Sequence, residues 1–275
     1  MNKTIGFIGC GNMAGAIIGG LVSSGKVKGE NVIASDGFSK GLENCQKKYG
    51  IRTSLNDNLT VAREADILFL AVKPNVYFNV IDEIKNDIKE NVVIVTIAAA
   101  ISMDSVKAGF GKEIKIVRTM PNTAAMVGES MTVACKNSLV TEEDMDEVME
   151  LLKSFGKAEL IEENLMEAVI AVNGSSPAYI YMFLEAMGDG GVLAGIPRDK
   201  AYKMSAQAMI GSAKMLLETG KHPGELKDMV CSPAGTTIEA VYSLEKNNFR
   251  GTIIEAMEKC TEKSNEMAGK NNFLK

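Results

Sequence analysis

Two stretches of this chain combine residue types at spacings that could do chemistry. In the first, Phe7-Ile8-Gly9-Cys10-Gly11-Asn12-Met13-Ala14, the glycines stand as in G-x-G-x-x-A. Between a strand and a helix, Gly9 permits the tight turn and Gly11 lets the backbone approach a pyrophosphate. Ala14 or Gly15 then allows close packing of helix on sheet, and the helix N-terminal amides face the phosphates of a dinucleotide. In the second stretch, Ser232-Pro233-Ala234-Gly235-Thr236-Thr237 precedes an apolar-periodic run. It reads as a turn delivering a helix N-terminus, whose unpaired amides suit a carboxylate and whose threonine hydroxyls suit a neighbouring polar atom. A capped helix with no ligand would use the same residues.

Ser35-Asp36 ends the next apolar run about 20 residues beyond the glycines, where a dinucleotide's adenosine ribose is read. A carboxylate there repels a 2′-phosphate and favours NAD. Ser35, Ser39 and Lys40 could instead receive that phosphate, and an Asx turn would also place Asp36 here. NADPH and NADH both stay open. Ala71-Val72-Lys73-Pro74 ends a further strong strand, with Ile97-Ala98-Ala99 and Met120-Pro121-Asn122-Thr123 in the same position after later ones. Carboxyl ends of parallel strands line the ligand crevice, so these small residues make room for a flat ring.

The elements that must hold these residues follow from hydrophobic periodicity. Strands are predicted at Thr4-Ile8, Asn31-Ser35, Ile67-Val72, Val92-Ile97 and Ile114-Arg118, with helices at Asn12-Ser24, Ser39-Tyr49, Val76-Ile88 and Ser102-Phe110. This alternation predicts an α/β fold, an N-terminal Rossmann-type parallel sheet domain opening with a β-α-β unit from Thr4 to about Asp36. Ser130-Cys135 and Ala158-Ile161, around an acidic helix at Thr141-Ser154, finish the sheet edge. After about Glu163 only helical periods remain: Leu165-Asn173, Ala178-Ala194, Arg198-Thr219, Thr237-Lys246 and Ile253-Met267. The expected domains are therefore residues 1–163, binding the dinucleotide, and residues 164–275, a C-terminal all-helical substrate-binding and dimerisation domain. Several of its helices are apolar on more than one face, which predicts burial against a second subunit.

Composition narrows the function further. A net charge of -5 over 275 residues argues against nucleic acid, which needs a basic tracking surface. Five cysteines without C-x-x-C spacing read as free thiols in a reducing cytoplasm. One histidine, His222, in a Gly/Pro-flanked turn, leaves no metal site and no histidine-based triad. Thr4 to Gly25 is uncharged, but seven glycines break it up, so neither a signal segment nor a membrane span is expected.

Gly9-Cys-Gly-Asn-Met-Ala14, Ala71-Val-Lys-Pro74, Met120-Pro-Asn-Thr123, Gly174-Ser-Ser-Pro-Ala-Tyr179 and Ser232-Pro-Ala-Gly-Thr-Thr237 stand in one order along nearly the whole chain. Together they resemble the pyrroline-5-carboxylate reductase family. The resemblance implies reduction of 1-pyrroline-5-carboxylate to L-proline by NADPH or NADH, the last step of proline biosynthesis, in a homodimer that can build a larger ring such as a decamer. It implies that Gly9, Gly11, Asn12 and Met13 hold the pyrophosphate, Ser35 and Asp36 sit by the adenosine ribose, and Asn58 lies near the adenine. Ala71, Val72, Lys73 and Pro74, with Ala98, Ala99 and Asn122, serve the nicotinamide half. Glu163, near the active site, binds substrate with Ser232, Gly235, Thr236 and Thr237, Thr237 being the catalytic contact to the ring nitrogen. The sequence departs from the family pattern at Ala100 (often Gly), Ala124 (often Pro), Ser176 (usually Gly) and Met229 (often Asn). Two further readings stay open, a paralogue acting on a related cyclic imino acid and a non-catalytic nucleotide sensor. A β-hydroxyacid dehydrogenase would need a lysine on the helix at Ala168-Val172, which has none.

Overall fold

A computed structural model describes residues 3–270. They divide into two compact units, one of residues up to Ser175 together with the chain from Cys260, the other Ser176–Lys259.

The first unit is built on eight strands: β1 (Ile5–Ile8), β2 (Val32–Asp36), β3 (Arg52–Leu55), β4 (Ile67–Leu70), β5 (Val93–Thr96), β6 (Lys115–Met120), β7 (Ser130–Lys136) and β8 (Gly156–Leu160). Their order across the sheet is β3-β2-β1-β4-β5-β6-β7-β8. All neighbours are parallel except β6 and β7. The direction of winding reverses between β1 and β4, where Ile8 pairs with Leu70; such a reversal opens a crevice beyond the strand ends. Alternation along each strand feeds two cores. On β4, Ile67 and Phe69 join one cluster, and Leu68 and Leu70 the other. Phe7 and Phe69 stack at 4.7 Å in the first of these.

That first face carries α1 (Asn12–Ser23) and α2 (Ser39–Tyr49), while the opposite face carries α3 (Asn58–Glu64), α4 (Pro74–Ile84) and α5 (Met103–Phe110). Next, α6 (Glu142–Leu152) opens with a capping box between Thr141 and Asp144 and joins the α1 side.

Three local expectations are corrected. No element was read between Tyr49 and Ile67, yet β3 and α3 lie there. β3 is an edge strand with both ends exposed and little apolar signal, and α3 is short, its start fixed by Asp57, which accepts from Thr60 N at 3.0 Å. The helix expected over Leu165-Asn173 is a four-residue turn, α7 (Met166–Val169), running into a π-helical segment Ile170–Gly174. An inserted residue of this kind re-aims side chains, and here it leaves Asn173 buried in the sheet unit.

The second unit holds α8 (Ser176–Leu193), α9 (Arg198–Thr219), α10 (Pro223–Met229), α11 (Thr236–Lys246) and the start of α12 (Phe249–Lys270), with no strand among its described residues. The third correction is α10, where only a turn was expected; Pro223 stands at its first position and the His222 ring accepts from Gly224 N at 3.1 Å.

Candidate active site

The glycine-rich turn between β1 and α1 has the geometry its sequence demands. Gly9 has φ +95°, and a Cβ there would meet the Ala71 carbonyl oxygen at 2.5 Å. Only glycine lets β1 and the end of β4 approach this closely. Gly9 N donates to Ser35 O at 2.9 Å and Ala71 N to Ile8 O at 2.8 Å, so the turn is stitched to both neighbouring strand ends. Gly11 is different: it is exposed, and a Cβ would meet nothing within 4 Å. The space beside it is open. It is also the N-cap of α1, with no side-chain cap hydrogen bond, which leaves the first amides of α1 open to an anion.

Beside this terminus lies a cavity of about 510 Å³ between α1, α2 and the end of β2, lined by Cys10, Gly11, Asn12, Asp36, Lys40 and Lys48 among others. Asp36 shapes its edge. One carboxylate oxygen accepts from Cys10 N at 2.6 Å and the other from Phe38 N at 2.9 Å. This fastens the turn after β1 to the one after β2. Lys40 and Lys48 bring positive charge to its lining. A dinucleotide fits these features: an uncapped helix end, an open glycine at it, and a cavity with a carboxylate and two ammonium groups where the ribose and its substituent would lie.

Among the expected residues, Gly11, Asn12 and Asp36 line this cavity. Met13 is half-buried against the core. Ser35 is fully buried, and its hydroxyl donates to Asn58 Oδ1 at 2.8 Å; Asn58 in turn donates to Glu83 at 2.8 Å. Ala71, Val72, Lys73 and Pro74 run from the end of β4 into α4, with Lys73 exposed at the N-cap. Ala98 is buried and Ala99 half-buried after β5. Asn122, after β6, donates to Asn173 Oδ1 at 2.9 Å and accepts from Ala124 N at 3.1 Å. Asn173 completes that knot by donating to Met120 O at 2.9 Å and Met131 O at 2.8 Å.

Glu163 accepts from Met103 N at 2.8 Å and stands 3.5 Å from Arg118. Arg118 is 2% exposed, and its other partner is Glu167. Ser264, on the last turns of α12, donates to the second oxygen of Glu167, which ties the chain end to the sheet unit. Cys10 and Cys45 both stand at the cavity wall. The neighbouring Cys45 and its own burial push the Cys10 thiol up, whereas Cys10 and the nearby Lys48 charge pull Cys45 down against its burial. The long-range pairs Asn122–Asn173, Arg118–Glu167 and Cys10–Cys45 were absent from the sequence reading, because nothing local marks residues that meet only after folding.

In the helical unit, Gly235 caps α11 without a side-chain cap hydrogen bond. Gly235 N donates to Ser232 O at 3.0 Å, and Ala234 is held at φ +56°. Left-handed backbone at a non-glycine residue costs about 1 kcal/mol or more and is kept where the surroundings impose it. Ser232 and Thr236 are exposed, Gly235 and Thr237 half-buried. The turn thus presents open amides and three hydroxyls together, all on one helix end.

Among the described residues no group of three or more His, Cys, Asp or Glu could hold a metal, and no helix is long and apolar enough to cross a membrane. Residues 4–100 match a family model described as coenzyme F420-dependent NADP oxidoreductase, and residues 163–267 one described as pyrroline-5-carboxylate reductase dimerisation. The pyrroline-5-carboxylate reductase of Escherichia coli (strain K12) is 48% identical over 98% of this chain and 99% of its own length. This chain belongs to the pyrroline-5-carboxylate reductase family. A Methanosarcina acetivorans reductase is 42% identical over 98% of this chain and 99% of its own. A Plasmodium falciparum pyrroline carboxylate reductase solved with NADP bound covers 97% of this chain and 98% of its own, at 32% identity and TM-score 0.89. The family's dimerisation region makes the chain a homo-oligomer. That accounts for apolar side chains left exposed on the single helical unit, Leu193 at 90% and Leu217 at 80% among them.

Proposed function

We propose that this chain reduces 1-pyrroline-5-carboxylate to L-proline with NADPH or NADH, as the final step of proline biosynthesis. The observation that carries the proposal is the end-to-end match to reductases of that name, 48% identical over 98% of the chain.

Residues of the sheet unit hold the nucleotide. The open amides of α1 and the backbone of Gly9, Gly11, Asn12 and Met13 take the pyrophosphate, Asp36 takes the ribose side, and Lys40 and Lys48 balance a 2′-phosphate. Ser35 and Asn58 act from behind, through the hydrogen bond they share. Ala71 to Pro74, Ala98 and Ala99 border the nicotinamide half, and Asn122 holds the loop after β6 in place. When bound, the nicotinamide supplies the hydride.

Residues of the helical unit hold the substrate. The N-terminus of α11 receives the carboxylate on its amides, where the helix dipole favours negative charge. Thr237 accepts a hydrogen bond from the protonated ring nitrogen, while Ser232, Gly235 and Thr236 shape the turn around it. A cyclic imine takes its proton from water, so the site needs orientation rather than a strong acid. This suits a chain whose single histidine lies on an exposed turn. Glu163 acts as a positioning residue through Met103 and Arg118.

The protein works as a dimer through residues 164–275, able to assemble into a larger ring, in the cytoplasm. Steady-state assays with both nucleotides, and with five- and six-membered cyclic imino acids, test the reaction. Turnover confined to the six-membered imine would favour the paralogue reading, and nucleotide binding with no turnover would favour the sensor. Light scattering of the purified protein tests the assembly.

A further inference from the structure

Two cysteines stand against the nucleotide cavity although imine reduction has no use for a thiol. Cys10 lies inside the glycine-rich turn, between Gly9 and Gly11, and Cys45 lies on α2. Three contacts place them. A Cβ on Gly41 would meet the Cys10 carbonyl oxygen at 2.1 Å, so the backbones of α2 and the turn are in direct contact. Cys45 is one helical turn beyond Gly41 and shares its face. Its sulfur lies 3.6 Å from where a Cβ on Gly15, in the first turn of α1, would stand. Both residues belong to one buried cluster and line the cavity, though each is shielded from bulk solvent at 2% and 5% exposure.

We propose that Cys10 and Cys45 form a redox switch on the nucleotide site, in which a hydroperoxide entering the cavity in place of coenzyme converts the thiol pair to a disulfide and weakens coenzyme binding. The inference rests on the nucleotide assignment made above. The neighbouring Cys10 thiol and the Lys48 charge favour the thiolate at Cys45, making it the attacking sulfur. The Cys45 thiolate attacks the peroxide oxygen, the O–O bond breaks, and Cys45 becomes a sulfenic acid as an alkoxide, or hydroxide, leaves and takes a proton. The Cys10 sulfur then attacks the Cys45 sulfur, forming S–S and expelling hydroxide, which leaves as water with the Cys10 proton. In sum, two thiols and one hydroperoxide give a disulfide, an alcohol (or water) and water. The cross-link draws Cys10 toward α2, and with it the Cys10 amide that donates to Asp36 and the neighbouring Gly11. A bound dinucleotide fills the entry route and protects the pair.

The test treats the intact protein with hydrogen peroxide, with and without saturating NADPH, and maps cysteines by mass spectrometry of non-reduced digests. The expected result is a Cys10–Cys45 linked peptide accumulating in step with a rise in the KM for NADPH, on the order of tenfold or more. A thiol reductant reverses both changes, and NADPH slows both. Cys45→Ala and Cys45→Ser should each lose the peroxide-dependent rise; if both misfold, the wild-type peptide map still decides. Activity loss with no such peptide, for example through oxidation of Cys231 beside the substrate turn, would overturn the proposal, and so would a cross-link that leaves the KM unchanged. The latter result would leave the nucleotide assignment standing. That assignment fails instead if adding a methyl at Gly11 leaves NADPH affinity intact.

Discussion

Gly9 and Gly11 are two residues apart, yet the structure assigns them different physical roles, so paired alanine substitutions separate folding from binding. In Gly11→Ala the new methyl meets no protein atom within 4 Å. Its stability cost is limited to replacing a glycine N-cap, about 0.5 to 1 kcal/mol, or a Tm drop of roughly 1 to 4 °C in a chain of this size. The methyl does occupy space beside the amides where a pyrophosphate would rest. Overpacking costs about 1 to 3 kcal/mol, which corresponds to a Kd for NADPH roughly five to 150 times higher. In Gly9→Ala the methyl would press to 2.5 Å from a backbone oxygen at φ +95°, where an L side chain is strained whatever the space. That variant should lose about 3 kcal/mol or more of stability before binding is considered. Thermal melts by circular dichroism and NADPH titration by fluorescence measure both quantities. A Gly11→Ala protein that binds NADPH as tightly as the wild type would refute the placement of the phosphates, and a Gly9→Ala protein with an unchanged Tm would refute the close-packing argument.

Other outcomes follow from the same geometry. Thr237→Ala should lower kcat by about one to two orders of magnitude with NADPH affinity unchanged, and Thr237→Ser should recover much of it; stopped-flow and steady-state kinetics distinguish the two. Ala100 is held at φ +59° where the family often has glycine. Ala100→Gly should therefore stabilise the fold by about 1 kcal/mol, seen as a Tm rise of roughly 2 to 4 °C. Glu167→Ala removes one partner of an arginine that is 2% exposed and also frees Ser264. It should cost about 3 kcal/mol in urea melts and loosen the end of α12, read as faster amide exchange there.

What the sequence made legible was whatever is local or periodic. The strand-turn-helix around Gly9 announces itself because only glycine fits that turn, and the two-faced burial of Ile67 to Leu70 appears as a continuous apolar run. The helix at Ser39–Tyr49 was read to its ends, helped by the positive φ of Gly50 that stops it. The threonine pair starting α11 was readable for the same reason. β3 was missed because Arg52-Thr-Ser-Leu55 is an edge with no apolar alternation. The π-helical segment was missed because its inserted residue is fixed by where the Asn173 amide goes, to carbonyls on strands 53 and 42 residues earlier. Ser35 shows a subtler limit. Its position at the strand end was clear, but the pleat turns its hydroxyl inward to Asn58, on a helix the sequence had not revealed.

The central claim is that this chain moves a hydride from a nicotinamide to the carbon of a cyclic imine whose carboxylate it holds. The most direct measurement is one turnover with NADPH deuterated at the transferring position of C4, followed by mass spectrometry and proton NMR of the product. The expected product is proline one mass unit heavier, with the label at C5 beside the ring nitrogen. Proline formed without deuterium, or no proline despite bound NADPH, would contradict it.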